Sequence, residues 1–292
     1  MYLDRRNTRF ALLIGLLVWL LPMWSVRAQE ATPVPAGVTV ETVLSADYAA
    51  VPAAPAFVGL ARFTLPPRVA VGGGSIDGPR MYLVEIGTIA VAVREPVTVL
   101  RGGRVSTPVP EPVTTARDVV LHPGDALIAQ RVPPLEIRNS GEGVAIFLDL
   151  AIWPGEGGPI KPFTSEEGVI FEPLTIGVAA AMPAAPIAVA LERTIIPPAA
   201  VVPLPAELGP RLIYVESGRL GLGVDHGTVA YQPAAFSSPG AVAGTTRELS
   251  PGRRALLTAG GSVILQTGAA TRLENLGRTK VVLLNLVVRP AE

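Results

Sequence analysis

Apolar and polar side chains alternate with a period of two over most of this chain, in short runs interrupted by glycine and proline. Residues 38–44 alternate in this way, and residues 57–65 form a second run that stops at Pro66-Pro67. Residues 81–86 and 88–93 flank Gly87, where a hairpin turn is expected. Residues 118–121 and 126–130 flank His122-Pro123-Gly124-Asp125, a strong turn sequence, and residues 136–139 and 144–152 follow. Successive side chains of a strand point to opposite faces, so each run predicts a strand with a buried face. Between them, residues 94–117 read as a hairpin extension or an excursion. Composition agrees: 49% of residues are hydrophobic and 16% charged, which excludes a disordered chain, and 30 glycines and 30 prolines punctuate it without a collagen-like period. The expectation is an all-β fold.

The pattern is written twice. Residues 78–93 begin Gly-Pro-Arg and recur 131 residues later, at 209–224, with seven of sixteen residues identical. The same offset aligns Arg62 with Arg193 and Pro66-Pro67 with Pro197-Pro198. Further on the offset becomes 136, matching Gly124 with Gly260, Gln130 with Gln266 and Asn139 with Asn275. An insertion of five residues therefore falls in the loop region 225–254, where insertions are tolerated. Two units follow, residues 38–153 and 170–292, joined by a glycine- and proline-rich linker at 154–169 and preceded by a spacer at 29–37. A chain of 292 residues is long enough for two such cores. Without any cysteine, stability has to come from packing.

The amino terminus changes the charge balance. Arg5, Arg6 and Arg9 precede an apolar run, and Val26-Arg27-Ala28 offers the small residues of a cleavage site, so residues 1–28 read as a signal peptide cut after Ala28. An uncleaved anchor over residues 10–26 is the alternative, and either one exports the protein. Cleavage removes four arginines and one aspartate from 24 basic and 24 acidic side chains, leaving 20 and 23. A mildly acidic surface without a basic run argues against nucleic acid and against anionic lipid. The glycine-rich residues 72–78 lack the Gly-Lys-Ser/Thr and the following helix of a phosphate loop.

The order Gly87, Pro123-Gly124-Asp125, Asn139-Ser140-Gly141, echoed by Gly218, Gly260 and Asn275-Leu276-Gly277, resembles the cupin family, and the whole chain resembles a double cupin. The resemblance implies two tandem antiparallel β-barrels of the jelly-roll type, each with an interior pocket, and it is compatible with a homo-oligomer. It also implies a divalent metal held by histidines and a glutamate, and here the sequence departs from the pattern. The glutamate position carries Arg80 and Arg211. The nearby histidine positions carry Ile76 or Ser75 and Gly74 or Gly73 in one unit, and Glu207 or Ala206 and Pro205 or Leu204 in the other. The last histidine is replaced by Leu135 and Thr271. With two histidines in all, His122 and His226, both in turn sequences, a three-imidazole site is out of reach, and neither a metal nor a cofactor is expected.

Arg80 and Arg211 are the residues that invite a function. Arg80, Tyr82 and Val84 share one strand face, which the resemblance turns into the barrel. A guanidinium there suits a carboxylate or another planar anion, with Tyr82 beside Arg80 and Glu207 beside Arg211. The structural alternative is an arginine already partnered, by Glu207 or another acid. The reading is an exported, non-catalytic, metal-free binding or structural module with a small anionic ligand. A metal-independent isomerase or lyase acting on a small acid, with Tyr82 or Glu207 as the titratable residue, is the alternative.

Overall fold

A computed structural model describes residues 35–72, 78–102, 109–114, 117–131, 136–155, 168–234 and 246–291. The expected leader, most of the spacer and linker, Ser75 and its neighbours, and Leu135 lie outside these residues.

Among the described residues each half contributes eleven strands. In the first half these are β1 (Thr39–Tyr48), β2 (Ala56–Leu65), β3 (Ala70–Gly72), β4 (Arg80–Ile86), β5 (Ile89–Val93), β6 (Val97–Arg101), β7 (Val109–Val113), β8 (Arg117–Leu121), β9 (Ala126–Ala129), β10 (Glu136–Asn139) and β11 (Ala145–Pro154). The second half repeats them in order as β12 (Ile170–Ala179), β13 (Ile187–Ile196), β14 (Val201–Leu204), β15 (Arg211–Ser217), β16 (Arg219–His226), β17 (Val229–Gln232), β18 (Arg247–Leu249), β19 (Arg254–Thr258), β20 (Ser262–Leu265), β21 (Ala270–Asn275) and β22 (Val281–Pro290). No α-helix occurs among the described residues. The polar stretch after residue 94 holds a hairpin of its own, β6 with β7.

The strands form two barrels, each made of a seven-stranded and a four-stranded antiparallel sheet. The first barrel has the orders β12-β2-β11-β4-β9-β6-β7 and β3-β10-β5-β8, and the second has β1-β13-β22-β15-β20-β17-β18 and β14-β21-β16-β19. The two orders are identical apart from one exchange: β1 pairs with β13, and β12 pairs with β2. Each half thus gives its first strand to the other half's barrel, so the barrels form one compact unit. Both exchanged strands carry a bulge at the same repeat position, between Thr42 and Leu44 and between Pro173 and Thr175. The second bulge accommodates a proline, which has no N–H to give to a ladder.

Gly87 does not close a hairpin, because β4 pairs with β9 and β11 whereas β5 pairs with β8 and β10 in the other sheet. Gly87 and Gly218 are corners where the chain crosses between sheets. At φ values of 74° and 94° they lie in the left-handed region that glycine tolerates, and a Cβ on Gly87 would sit 2.5 Å from the Val144 carbonyl oxygen. The repeated Gly-Pro-Arg has a similar cause. A Cβ on Gly78 or Gly209 would fall 2.0 Å from the carbonyl oxygen of Ile152 or Val288, so only glycine lets the chain lie so close to the last strand of its unit.

Alternation then sorts the side chains into three cores. Tyr82, Val84 and Phe147 join one cluster inside the first barrel, and Ile213, Val215 and Leu283 join another inside the second. Met81, Leu83, Leu148 and Leu150 face the other way, into a third cluster with Leu212, Leu284 and Leu286 that the barrels share. The repeated Arg62, Arg193, Glu85 and Glu216 meet on this same side. Arg62 binds Glu85 at 2.8 Å and Glu216 at 3.3 Å, and Arg193 binds Glu216 at 3.3 Å, so one half-buried ion cluster spans both units.

Candidate functional site

Arg80 enters the first barrel from β4, on the face that also carries Tyr82 and Val84, and it is buried. Its Nε donates to Asp149 Oδ1 at 2.8 Å and its Nη2 donates to Asp149 Oδ2, so the guanidinium fork grips one carboxylate with two bonds. Asp149 stands on β11, directly across from Tyr82. The Tyr82 ring lies 5.1 Å from the guanidinium carbon and packs edge-on against Phe147, which stacks on Phe63. Burial alone would lower the guanidinium's proton affinity, but Asp149 more than offsets it, so Arg80 stays charged. Burial pushes the Tyr82 hydroxyl well above the ordinary phenol range. Among the described residues, Arg80 Nη1 and Tyr82 Oη have no hydrogen-bond partner.

The second barrel handles the matching arginine differently. The position equivalent to Asp149 is Asn285, whose Nδ2 donates to Thr194 Oγ1 at 2.9 Å, so an ion pair on β22 cannot form. Arg211 turns instead to Glu207, four residues before it, and to Glu192 on β13 at 3.6 Å. Two carboxylates around one guanidinium leave the centre of this barrel short of positive charge. Arg211 Nε and Thr271 Oγ1 are buried there without partners among the described residues.

The sequence-predicted residues therefore meet as pairs, Arg80 with Tyr82 and Arg211 with Glu207. Neither guanidinium is held open, because the chain's own carboxylates occupy both. Asp149 and Glu192 were the residues missed at the sequence level. Asp149 is a lone acid in an otherwise apolar strand, Ala-Ile-Phe-Leu-Asp-Leu-Ala-Ile, and a charge in such a run signals a buried partner, whereas Glu192 is followed by Arg193 and Thr194 and gives no such signal. The repeated asparagines prove to be clamps. Asn139 Nδ2 donates to the carbonyls of Leu65, Pro66 and Gly143, Asn275 Nδ2 donates to those of Ile196 and Thr279, and each Oδ1 accepts the N–H two residues on.

His122 and His226 are exposed. The turn at His122 is organised by Asp125. Burial tends to raise that carboxyl, but the His122 N–H, the Arg101 guanidinium and the Gly102 N–H outweigh it and hold the group below the usual carboxylate range. No group of three or more potential metal-binding side chains occurs among the described residues.

These barrels define the class: a tandem pair of antiparallel β-barrels welded by strand exchange. No family model matches the sequence, and no curated protein matches it. Solved structures resemble it at low identity. A cupin 2 conserved barrel domain protein from Leptotrichia buccalis is 14% identical over 89% of this chain and 92% of its own, with a TM-score of 0.36. The coconut allergen cocosin is 12% identical over 88% and 85%, with a TM-score of 0.41. An oxalate decarboxylase from Lactobacillus farciminis, solved as a formate complex, is 8% identical over 89% and 87%, with a TM-score of 0.32.

Proposed function

We propose that the protein is an exported, non-catalytic, cupin-like module that acts as a binding or structural platform. One observation carries this reading: the interior arginine of each barrel is matched by carboxylates of the chain itself, Asp149 in one and Glu207 with Glu192 in the other. A carboxylate ligand would have to displace Asp149 in the first barrel and would meet two negative groups in the second. The isomerase or lyase alternative loses support at Tyr82, since burial keeps its hydroxyl protonated and unsuited to take a proton. Export rests on the arginine-flanked apolar run before Gln29.

Metal analysis of the protein expressed from Gln29 tests the metal-free part of this reading. After incubation with manganese, iron, zinc and nickel and removal of free ions, mass spectrometry is expected to find only traces. About one ion per barrel would overturn it, because a site of that affinity needs several converging ligands.

A further inference from the structure

The two halves differ sharply at one place outside the barrel interiors, the seam where each exchanged strand crosses the neighbouring sheet. Against β12 lies a groove of about 350 Å³, lined by Thr175, Val178, Gln232, Ser262 and Ile264, with Phe57 at its wall. Phe57 is backed by Trp153, with ring centroids 5.2 Å apart and planes at 11°. The matching place on β1 is apolar. There Leu44, Leu100, Ala126 and Ile128 are all buried in the shared core.

Register makes the comparison residue by residue. Leu44 and Thr175 are the first residues after the bulges of their strands. Gln232 pairs with Ser262 as Leu100 pairs with Ala126, and Ala230 pairs with Ile264 as Thr98 pairs with Ile128. Three apolar side chains on one side of the duplication are thus polar on the other: Leu44 becomes Thr175, Leu100 becomes Gln232, and Ala126 becomes Ser262. Gln130 and Gln266 remain the same, and both pin their exchanged strand by donating to the carbonyls of Asp47 and Val178.

Thr175 and Ser262 are 2% and 4% exposed and line the groove. Gln232 Nε2 donates to Thr246 at 2.9 Å, which leaves its carbonyl oxygen available. These polar side chains stand where the twin seam is apolar, and their hydroxyls and amide offer donors and acceptors to whatever fills the groove. No described lining residue is charged, and a buried ion would find no counter-charge. The volume lies at the lower end of small-ligand sites, roughly 300–1,000 Å³.

We infer that this groove binds a small neutral molecule with an aromatic or aliphatic body and a hydroxyl group. The body lies against Phe57, Val178 and Ile264, and the hydroxyl meets Ser262, Thr175 and the Gln232 carbonyl. The site is separate from both arginines, so it can fail while the proposed function stands.

Benzyl alcohol is the probe, compared with toluene, which lacks the hydroxyl, and benzoate, which adds a charge. In ligand-observed NMR titrations of the protein from Gln29, benzyl alcohol is expected to bind saturably and at least fivefold more tightly than either comparator. A variant carrying the twin's residues, Thr175→Leu with Gln232→Leu and Ser262→Ala, is expected to lose that binding at least tenfold while its thermal midpoint stays equal or rises. Ser262→Ala alone, a milder change, is expected to weaken benzyl alcohol and leave toluene unchanged. Absence of saturable binding to the native chain, equal binding of benzoate, or binding that survives both variants would overturn the inference.

Discussion

Asp149→Ala is expected to destabilise the protein by about 3–5 kcal/mol in urea unfolding, because it leaves the Arg80 guanidinium charged and buried with no counter-ion. The group has no way to relieve this. It lies inside the first barrel, its Nη1 already lacks a partner among the described residues, and an arginine side chain keeps its proton in proteins. The informative comparison is the double variant Arg80→Met with Asp149→Leu. Replacing both charges by apolar groups of similar size removes the desolvation cost together with the attraction, so this variant is expected to lie within about 2 kcal/mol of the native chain. A double variant as unstable as Asp149→Ala would mean that the damage is one of shape rather than of an unmatched charge.

The second large effect concerns the exchanged strand. A chain begun at Ala49 lacks β1 and with it the ladder from Thr39 to Tyr48 against β13. It also loses Leu44 and Tyr48 from the shared core, and the bond from the Tyr48 hydroxyl to the Arg80 carbonyl, 3.2 Å long. Since β1 belongs to the first half in sequence and to the second barrel in space, its loss is expected to unfold both barrels together. The thermal transition should be single and much lower, or the chain insoluble, and a synthetic peptide of residues 35–48 added in trans should restore the midpoint. Two separate transitions, with the first barrel melting at its native temperature, would show that the exchange does not couple the barrels.

Much of this architecture was legible in the sequence, and the illegible parts share a cause. The period-two runs marked strands correctly because burial on one face requires that pattern. The face carrying Arg80, Tyr82 and Val84 could likewise be assigned from alternation. Strand exchange could not be read. In a duplicated chain β2 and β13 offer nearly the same complement, so nothing local says which of them β1 will join. The corner at Gly87 was mistaken for a hairpin because a left-handed glycine serves both, and only the partners of β4 and β5 separate the two. Asp149 is 69 residues from Arg80, and their meeting depends on the register between β4 and β11. The groove was hidden for a related reason: the change of offset from 131 to 136 lies near Gln232, which obscures its match with Leu100 until the pairing is known.

The difference between the barrels also bears on function. A duplicated site kept for one chemistry would hold the same groups twice. Here the arginine survives in both copies, but its acid comes from β11 in the first and from β13 and the loop before β15 in the second. What both copies preserve is an arginine held by the chain's own carboxylates, one acid in the first barrel and two in the second. That pattern fits a structural requirement better than a shared substrate.

Isothermal titration of the protein from Gln29 with acetate, malonate and citrate, repeated with Arg211→Met, tests the internal matching of the arginines most directly. No heat beyond dilution is expected in either protein. Saturable heat from a carboxylate that disappears in Arg211→Met would contradict the account, because an entering carboxylate would have to displace Glu207 and Glu192 from that guanidinium.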